Sequence, residues 1–299
     1  MNSKLLITLT LVLLVILSYN FMNRKSPETE NINVTGTVKR FLNFESKFVE
    51  SRHVDIWLPQ SYSEDSYKRF PVIFMHDGQN LFDPEKSYIG VDWGIDETMT
   101  ELSEKENLEA IIVGIWNSPK RYPEYMPQKP IEELNQSKKE EFMKKYGSEW
   151  IADSYLKFIV EELKPFVDSN FKTLSNRENT FVIGSSMGGL ISLYAVCEFP
   201  EVFGGAACIS THWVVWDGLV LDYAKNHLPN PQTHKIYFDY GTETLDAKYE
   251  PYQLKADELM ESAGFERDKN WITKKFEGHE HSERAWRKRV NIPLRFLLK

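Results

Sequence analysis

A serine between glycines, in Gly184-Ser185-Ser186-Met187-Gly188, is the strongest chemical signal in the sequence. The segment before it, 180–183, has the apolar pattern of a strand, and a helical pattern starts at Gly189. A serine at a sharp turn from strand to helix exposes its hydroxyl, and glycines are needed there because side chains would clash. The N-terminus of the following helix also favours negative charge. We therefore predict that Ser186 is a nucleophile for acyl transfer.

A serine hydroxyl is too weakly acidic to attack unaided, so it needs a base and an acid that orients the base. On a sheet with this type of turn, the acid and then the histidine follow the serine along the chain. Two histidines, His279 and His281, follow the last predicted strand. We prefer His281 because it adjoins the start of the final helix. His279-Glu280-His281 is also a possible metal chelate, but no third ligand is near in sequence, so we predict no metal.

The acid is expected just after the predicted strand 235–240, within the stretch 241–246. Glu243 and Asp246 could both reach the imidazole from there, whereas Asp239 lies inside the strand. We prefer Asp246 and keep Glu243 as the alternative acid.

An oxyanion formed during acyl transfer requires two backbone N–H groups that point at it. We assign one to Met187, directly after the serine, and the other to Gln79, in the loop after the third predicted strand. Gly78 allows that loop to approach closely. His76 and Asp77 are expected to shape the loop and not to act as a second base pair.

The remaining sequence supplies alternating strands and helices that can position these groups. Apolar, uninterrupted runs predict strands at 38–49, 53–58, 71–75, 110–115, 180–183, 205–209, 235–240 and 271–276. Helical periodicity occurs at 93–104, 150–166, 189–199, 252–263 and 282–298. Such alternation predicts an α/β fold with a mostly parallel central sheet and helices on both faces. A long insertion at 117–148 is a candidate lid.

Composition excludes some classes of function and structure. The formal net charge is −8 and the lysines lie among acids, so we predict no binding to nucleic acid, which requires a basic stripe. Cys197 and Cys208 lie in apolar surroundings and are expected to be buried free thiols.

The N-terminus differs from the rest of the chain. An apolar run from Leu5 to Leu17 predicts a signal peptide or membrane anchor over residues 1–23, followed by a polar linker at 24–33. We expect one catalytic domain over 34–299, exported or anchored outside the cytoplasmic membrane, with the N-terminal segment in contact with that membrane.

Several short motifs together resemble the "putative esterase" family, which includes enterochelin-esterase-like proteins, S-formylglutathione hydrolases and feruloyl esterases. The motifs are His76-Asp77-Gly78-Gln79-Asn80-Leu81-Phe82-Asp83, Trp93-Gly94-Ile95-Asp96-Glu97, Gly114-Ile115-Trp116-Asn117, Glu124-Tyr125-Met126-Pro127, the Ser186 turn, 241–246 and His281-Ser282-Glu283-Arg284-Ala285-Trp286. The resemblance extends from Val34 to the C-terminus. It implies an α/β-hydrolase fold and a Ser–His–acid triad that hydrolyses carboxylic esters without a cofactor. Many members carry the acid about where Thr244 stands, which keeps Glu243 and Asp246 open.

We therefore expect a serine esterase that acts on a small-molecule ester of a sugar, an aryl acid or a siderophore. The alternatives are an acyltransferase on the same scaffold, a binding protein with a vestigial triad, and a metal-assisted hydrolase. Six aromatic residues either line the cleft or pack the insertion against the body: Trp93, Trp116, Tyr122, Tyr125, Trp213 and Trp216.

Overall fold

Eight strands form one sheet in the computed structural model, which describes residues 34–147 and 149–299. The strands are β1 (Thr37–Phe44), β2 (Arg52–Leu58), β3 (Val72–His76), β4 (Ile111–Ile115), β5 (Thr180–Ser185), β6 (Gly205–Ile209), β7 (Lys235–Gly241) and β8 (Trp271–Phe276). Their order across the sheet is β1-β2-β4-β3-β5-β6-β7-β8.

The sheet is mostly parallel because only β2 runs against its neighbours. It pairs antiparallel with β1 and β4, and the pairs from β4 across to β8 are parallel. All residues of β3, β4, β5 and β6 are buried, as expected for strands covered on both faces. The predicted α/β-hydrolase fold is confirmed. The carboxyl ends of β3, β5, β6 and β7 therefore meet at one edge of the sheet.

Helices cover the sheet and form the connections between its strands. Their bounds are α1 (Ile95–Glu106), α2 (Arg121–Tyr125), α3 (Gln128–Glu132), α4 (Gln136–Tyr146), α5 (Ala152–Lys157), α6 (Lys164–Asn170), α7 (Met187–Glu198), α8 (Leu219–His227), α9 (Glu250–Ser262), α10 (Glu283–Arg287) and α11 (Asn291–Leu298). A π-helical turn, Phe158–Leu163, joins α5 to α6.

The prediction of one final helix over 282–298 is wrong, because α10 and α11 are separate. Pro293 lies in the first turn of α11. It has no N–H group to bond to the carbonyl of Arg289, so a continuous helix would lose a hydrogen bond there.

The insertion at 117–148 contains α2, α3 and α4 and is anchored to the body by aromatic packing. Phe142 is fully buried, and its ring lies 5.0 Å from that of Trp150 and 5.2 Å from that of Trp216. On α3, Lys129 forms an ion pair with Glu198 at the end of α7. Movement of this insertion as a lid remains a prediction.

The predicted signal peptide or anchor at 1–23 and the whole of the predicted linker at 24–33 lie outside the described residues. Within the described part of the chain, no helix combines the length and the apolar character that a bilayer crossing requires. Cys197 and Cys208 are both buried and free, as predicted.

Candidate active site

Ser186 occupies the turn between β5 and α7 in a strained backbone conformation. Its φ is 57° and its ψ is −119°, a combination that non-glycine residues rarely adopt. The turn is held because the Ser186 amide donates to the carbonyl of Ile209, at 2.9 Å. Gly184 is required here, since a Cβ at that position would lie 2.5 Å from the carbonyl oxygen of Gly188.

His281 and Asp246 form a hydrogen-bonded pair at the same edge of the sheet. His281 Nδ1 lies 2.5 Å from Asp246 Oδ1, and the His281 amide donates to Thr244 Oγ1 at 2.9 Å. The ring also packs against the edge of Trp286, with the centroids 5.0 Å apart. A carboxylate at Nδ1 keeps the proton on that nitrogen, which leaves Nε2 free to accept one.

Asp246 is buried, and hydrogen bonds hold it in its charged form. Gly241 N and Ser210 Oγ donate to its second oxygen, Oδ2, at 2.6 and 2.5 Å. Burial opposes ionisation, but the hydrogen bond and charge of His281, with these two donors, lower the pKa of Asp246 below its usual value. Glycine is required at 241 because a Cβ would lie 2.1 Å from the His279 carbonyl oxygen.

The structure does not bring the alternative acid or the alternative base into this arrangement. Glu243 is exposed, and its amide donates to the carbonyl of His279. His279 Nδ1 instead faces Arg289, at 3.2 Å.

Three carboxylates, Asp92, Asp96 and Glu97, are the one group of three potential metal ligands found among the described residues. Arg287 already pairs with two of them, Asp92 at 2.6 Å and Glu97 at 2.8 Å. His279-Glu280-His281, the alternative metal chelate, is not such a group among the described residues.

The two predicted oxyanion donors lie on segments that pack together. Met187 is the first residue of α7, and Gln79 lies in a 3₁₀ turn, Gly78–Asn80, after β3. A Cβ at Gly188 would contact His76 at 3.6 Å, so the loop after β3 adjoins the start of α7. Neither amide donates to a protein acceptor in residues 34–147 and 149–299, which leaves both available to a ligand.

Asp77 fixes the shape of that loop through a buried ion pair. It accepts from Arg121 Nε and Nη2 at 2.7 and 2.8 Å, and from Asn117 Nδ2 at 2.7 Å. Burial opposes ionisation of Asp77, but Arg121 and Asn117 lower its pKa. Next to it, His76 Nδ1 lies 2.8 Å from the hydroxyl of Tyr155, and burial lowers the pKa of His76 to about 3. His76 is therefore neutral at physiological pH, and its contact with Tyr155 stabilises the loop.

Sequence analysis missed two groups that lie beside Ser186, His212 and Tyr249. The His212 amide donates to the Ser186 carbonyl at 3.1 Å, and its Nδ1 lies 2.8 Å from the Tyr249 hydroxyl. Both residues follow the carboxyl ends of parallel strands, β6 and β7, and that position was the available signal.

Two of the aromatic residues considered as cleft residues do not line a cleft. Trp93 and Trp213 are only 1% exposed and belong to the core.

Known proteins resemble this chain in sequence and in fold. The family model described as "Putative esterase" matches residues 46–296. The chain is 26% identical over 193 residues to "Uncharacterized protein YbbA" of Bacillus subtilis (strain 168), covering 64% of this chain and 69% of that protein. Among solved structures it is similar to a ferulic acid esterase, with a TM-score of 0.63 and 16% identity over 88% of this chain and 98% of that one. It is also similar to the enterobactin esterase FES from Shigella flexneri in the presence of enterobactin, with a TM-score of 0.65 and 18% identity over 91% of this chain and 60% of that one. The chain therefore belongs to the Putative esterase family and is a carboxylic ester hydrolase.

Proposed function

We propose that the protein hydrolyses small-molecule esters through an acyl-enzyme on Ser186, with His281 as the base and Asp246 as the acid. The hydrogen bond of 2.5 Å between His281 Nδ1 and the buried carboxylate of Asp246 carries this proposal. Among the residues that the structure describes, His281 is the one imidazole near the Ser186 turn that has a carboxylate to stabilise its protonated form.

The reaction follows from these positions. His281 Nε2 takes the hydroxyl proton as Ser186 Oγ attacks the ester carbonyl carbon, and the amides of Met187 and Gln79 bind the oxyanion. Collapse of the intermediate breaks the bond to the alcohol, which leaves with the proton from His281. Water, deprotonated by His281, then attacks the acyl-enzyme and releases the acid and free Ser186.

His212, the second imidazole beside the serine, is poorly suited to be the base. Burial, together with the charges of His281 and Arg121, lowers the pKa of His212 to about 4. Its Nδ1 faces a tyrosine hydroxyl and not a carboxylate. A proton on this ring would therefore have no compensating charge.

For the substrate, we propose an ester with an aromatic or other apolar part, such as an aryl-acid, catecholate-siderophore or acylated sugar ester. Two similar solved structures are a ferulic acid esterase and an esterase in the presence of enterobactin.

A panel of acetyl, feruloyl, catecholate-siderophore and thioester substrates tests the proposal on the purified full chain. We expect Ser186→Ala to lower turnover by about three orders of magnitude or more, with unchanged thermal unfolding. Ser185→Ala, one residue earlier at the end of β5, is the matched control and should remain active. Activity of Ser186→Ala close to that of the parent would refute the proposal. A sugar or polyol acceptor in the same assay reveals acyl transfer, which would replace hydrolysis if it dominated.

We also propose that the enzyme is exported, because the apolar run Leu5–Leu17 has the length of a signal-peptide core. N-terminal sequencing of protein from the fractionated host tests cleavage near residue 23. Recovery of the chain in the cytoplasm would contradict export.

A further inference from the structure

The hydroxyl of Tyr249 lies beside Ser186 and has no role in the mechanism above. Tyr249 is fully buried, and its ring lies 5.8 Å from that of His281 in an edge-to-face arrangement. Its hydroxyl lies 2.8 Å from His212 Nδ1, and the His212 backbone is tied to the Ser186 carbonyl at 3.1 Å. A buried phenol and a half-buried imidazole therefore lie next to the turn of the nucleophile and are available to act on it.

We propose that His212 and Tyr249 are a positioning pair that holds the Ser186 hydroxyl in the orientation for attack. His212 Nδ1–H donates to the Tyr249 oxygen, and the Tyr249 O–H donates to Ser186 Oγ. The Ser186 proton is then left to point at His281 Nε2. The inference rests on the proposed function of Ser186.

In the proposed order, the side-chain hydrogen bonds from His212 to Asp246 all run in the same direction. His212 donates to Tyr249, Tyr249 to Ser186, Ser186 to His281, and His281 to Asp246. The charged carboxylate of Asp246 is the last acceptor of this series of hydrogen bonds. Such a chain polarises each member toward the next. When Ser186 Oγ loses its proton, the Tyr249 O–H remains in place and stabilises the negative charge that develops on Oγ.

The electrostatic environment keeps both members of the pair neutral. Burial raises the pKa of Tyr249, and the charge of Asp246 adds to this effect. Burial lowers the pKa of His212 to about 4. At neutral pH the phenol therefore keeps its proton, and the imidazole does not compete with His281 as a base.

Four variants of the full chain test the pair: Tyr249→Phe, His212→Ala, His212→Asn and the double variant Tyr249→Phe/His212→Ala. Tyr249→Phe keeps the ring but removes the donor to Oγ. We expect kcat to fall about 10- to 100-fold, the effect of losing one hydrogen bond to a group that gains charge. KM should remain within about twofold. The rate of labelling by a fluorophosphonate, which reports attack by Ser186 alone, should fall by the same factor.

The His212 variants separate positioning from packing. His212→Ala should also lower kcat, and the double variant should be no slower than Tyr249→Phe alone, because His212 acts on Ser186 only through the Tyr249 hydroxyl. His212→Asn places an amide N–H close to the position of Nδ1 and should restore most of the activity. Thermal unfolding of every variant controls for the fold, and if Tyr249→Phe does not fold, the two His212 variants carry the test.

Retention of kcat by Tyr249→Phe would overturn the inference, as would a rise in KM alone, additive losses in the double variant, or failure of His212→Asn to restore activity. Ser186→Ala distinguishes the two proposals. If it is as active as the parent, the proposed function itself fails. If it is inactive while Tyr249→Phe is unaffected, only the positioning pair is refuted.

Discussion

The role of Asp246 leads to a quantitative prediction for Asp246→Asn, a change that preserves the shape of the side chain. Gly241 N–H can only donate, and it contacts Oδ2 at 2.6 Å. In the variant, the amide oxygen must therefore take the Oδ2 position, and the NH₂ group must face His281 Nδ1. This reverses the tautomer of His281, so that Nε2 carries the proton and cannot accept one from Ser186.

The size of the effect follows from the lost charge. Attack by Ser186 creates an imidazolium whose counter-charge is Asp246, with closest atoms 2.5 Å apart. For charge centres about 4 Å apart and an effective dielectric constant of about 20, the attraction is about 4 kcal/mol. That energy corresponds to about a 1,000-fold loss of rate, and the wrong tautomer adds to it.

The assay is kcat/KM on an aryl ester, measured for the parent, Asp246→Asn and Glu243→Gln. Glu243→Gln is the matched control because it changes the exposed carboxylate of the same turn, and we expect it to stay within about twofold of the parent. Thermal unfolding shows whether either variant is damaged in its fold. A loss of kcat/KM below tenfold for Asp246→Asn would refute the reasoning. A loss of more than about twofold for Glu243→Gln would also refute it.

Three further predictions concern the supports of the site. Arg121→Met leaves the buried carboxylate of Asp77 unpaired and should lower the free energy of unfolding by about 3 kcal/mol in urea titrations. The double variant Arg121→Met/Asp77→Asn should regain much of this stability, because its buried side chain at 77 is uncharged. If Arg121→Met alone is as stable as the parent, the ion pair contributes little. Gly184→Ala should destabilise the fold by roughly 1–3 kcal/mol, because its Cβ would lie 2.5 Å from a backbone oxygen. In Gly188→Ala the new Cβ would lie 3.6 Å or more from its neighbours, an ordinary van der Waals distance, so this variant should be tolerated. Equal stabilities of the two glycine variants would contradict the packing of the turn. Burial and a neighbouring glutamate raise the pKa of Asp96 to about 7, so the folded state binds its proton more tightly than the unfolded state, and stability falls as pH rises from about 4 to 7. Asp96→Asn should therefore gain stability relative to the parent at pH 8 compared with pH 5, and an equal stability difference at the two pH values would show that Asp96 ionises normally.

The fold was predictable because its central strands are short, uninterrupted apolar runs. The predicted strands 71–75, 110–115 and 205–209 contain no polar side chain that could face solvent, so they indicate a sheet covered on both faces. The break before Pro293 was missed because the apolar periodicity of 282–298 continues across it. Periodicity reports which face is buried and does not report a single missing N–H group.

The choice between Glu243 and Asp246 could not be made from the sequence because it depends on the path of one turn. Thr244 has a φ of 55°, and this left-handed residue separates the two carboxylates. The turn that results directs Asp246 inward and leaves Glu243 in solvent.

The partners of the acid were also invisible in the sequence, since they come from distant segments. Ser210 Oγ accepts from Arg289 Nη2 at 2.7 Å and from Trp286 Nε1 at 3.0 Å, and it donates to Asp246. Arg289 in turn pairs with Asp239 at 2.9 Å. Only the packing of α10 and the turn after it against the ends of β6 and β7 brings these side chains together.

The most direct test of the account is mass spectrometry of the full chain after reaction with a fluorophosphonate. The reagent should add once, and peptide mapping should locate it on Ser186. The adduct should be absent from Ser186→Ala, present in Ser185→Ala and formed much more slowly in His281→Gln. An active enzyme that resists the reagent, or an adduct on a residue other than Ser186, would contradict the account.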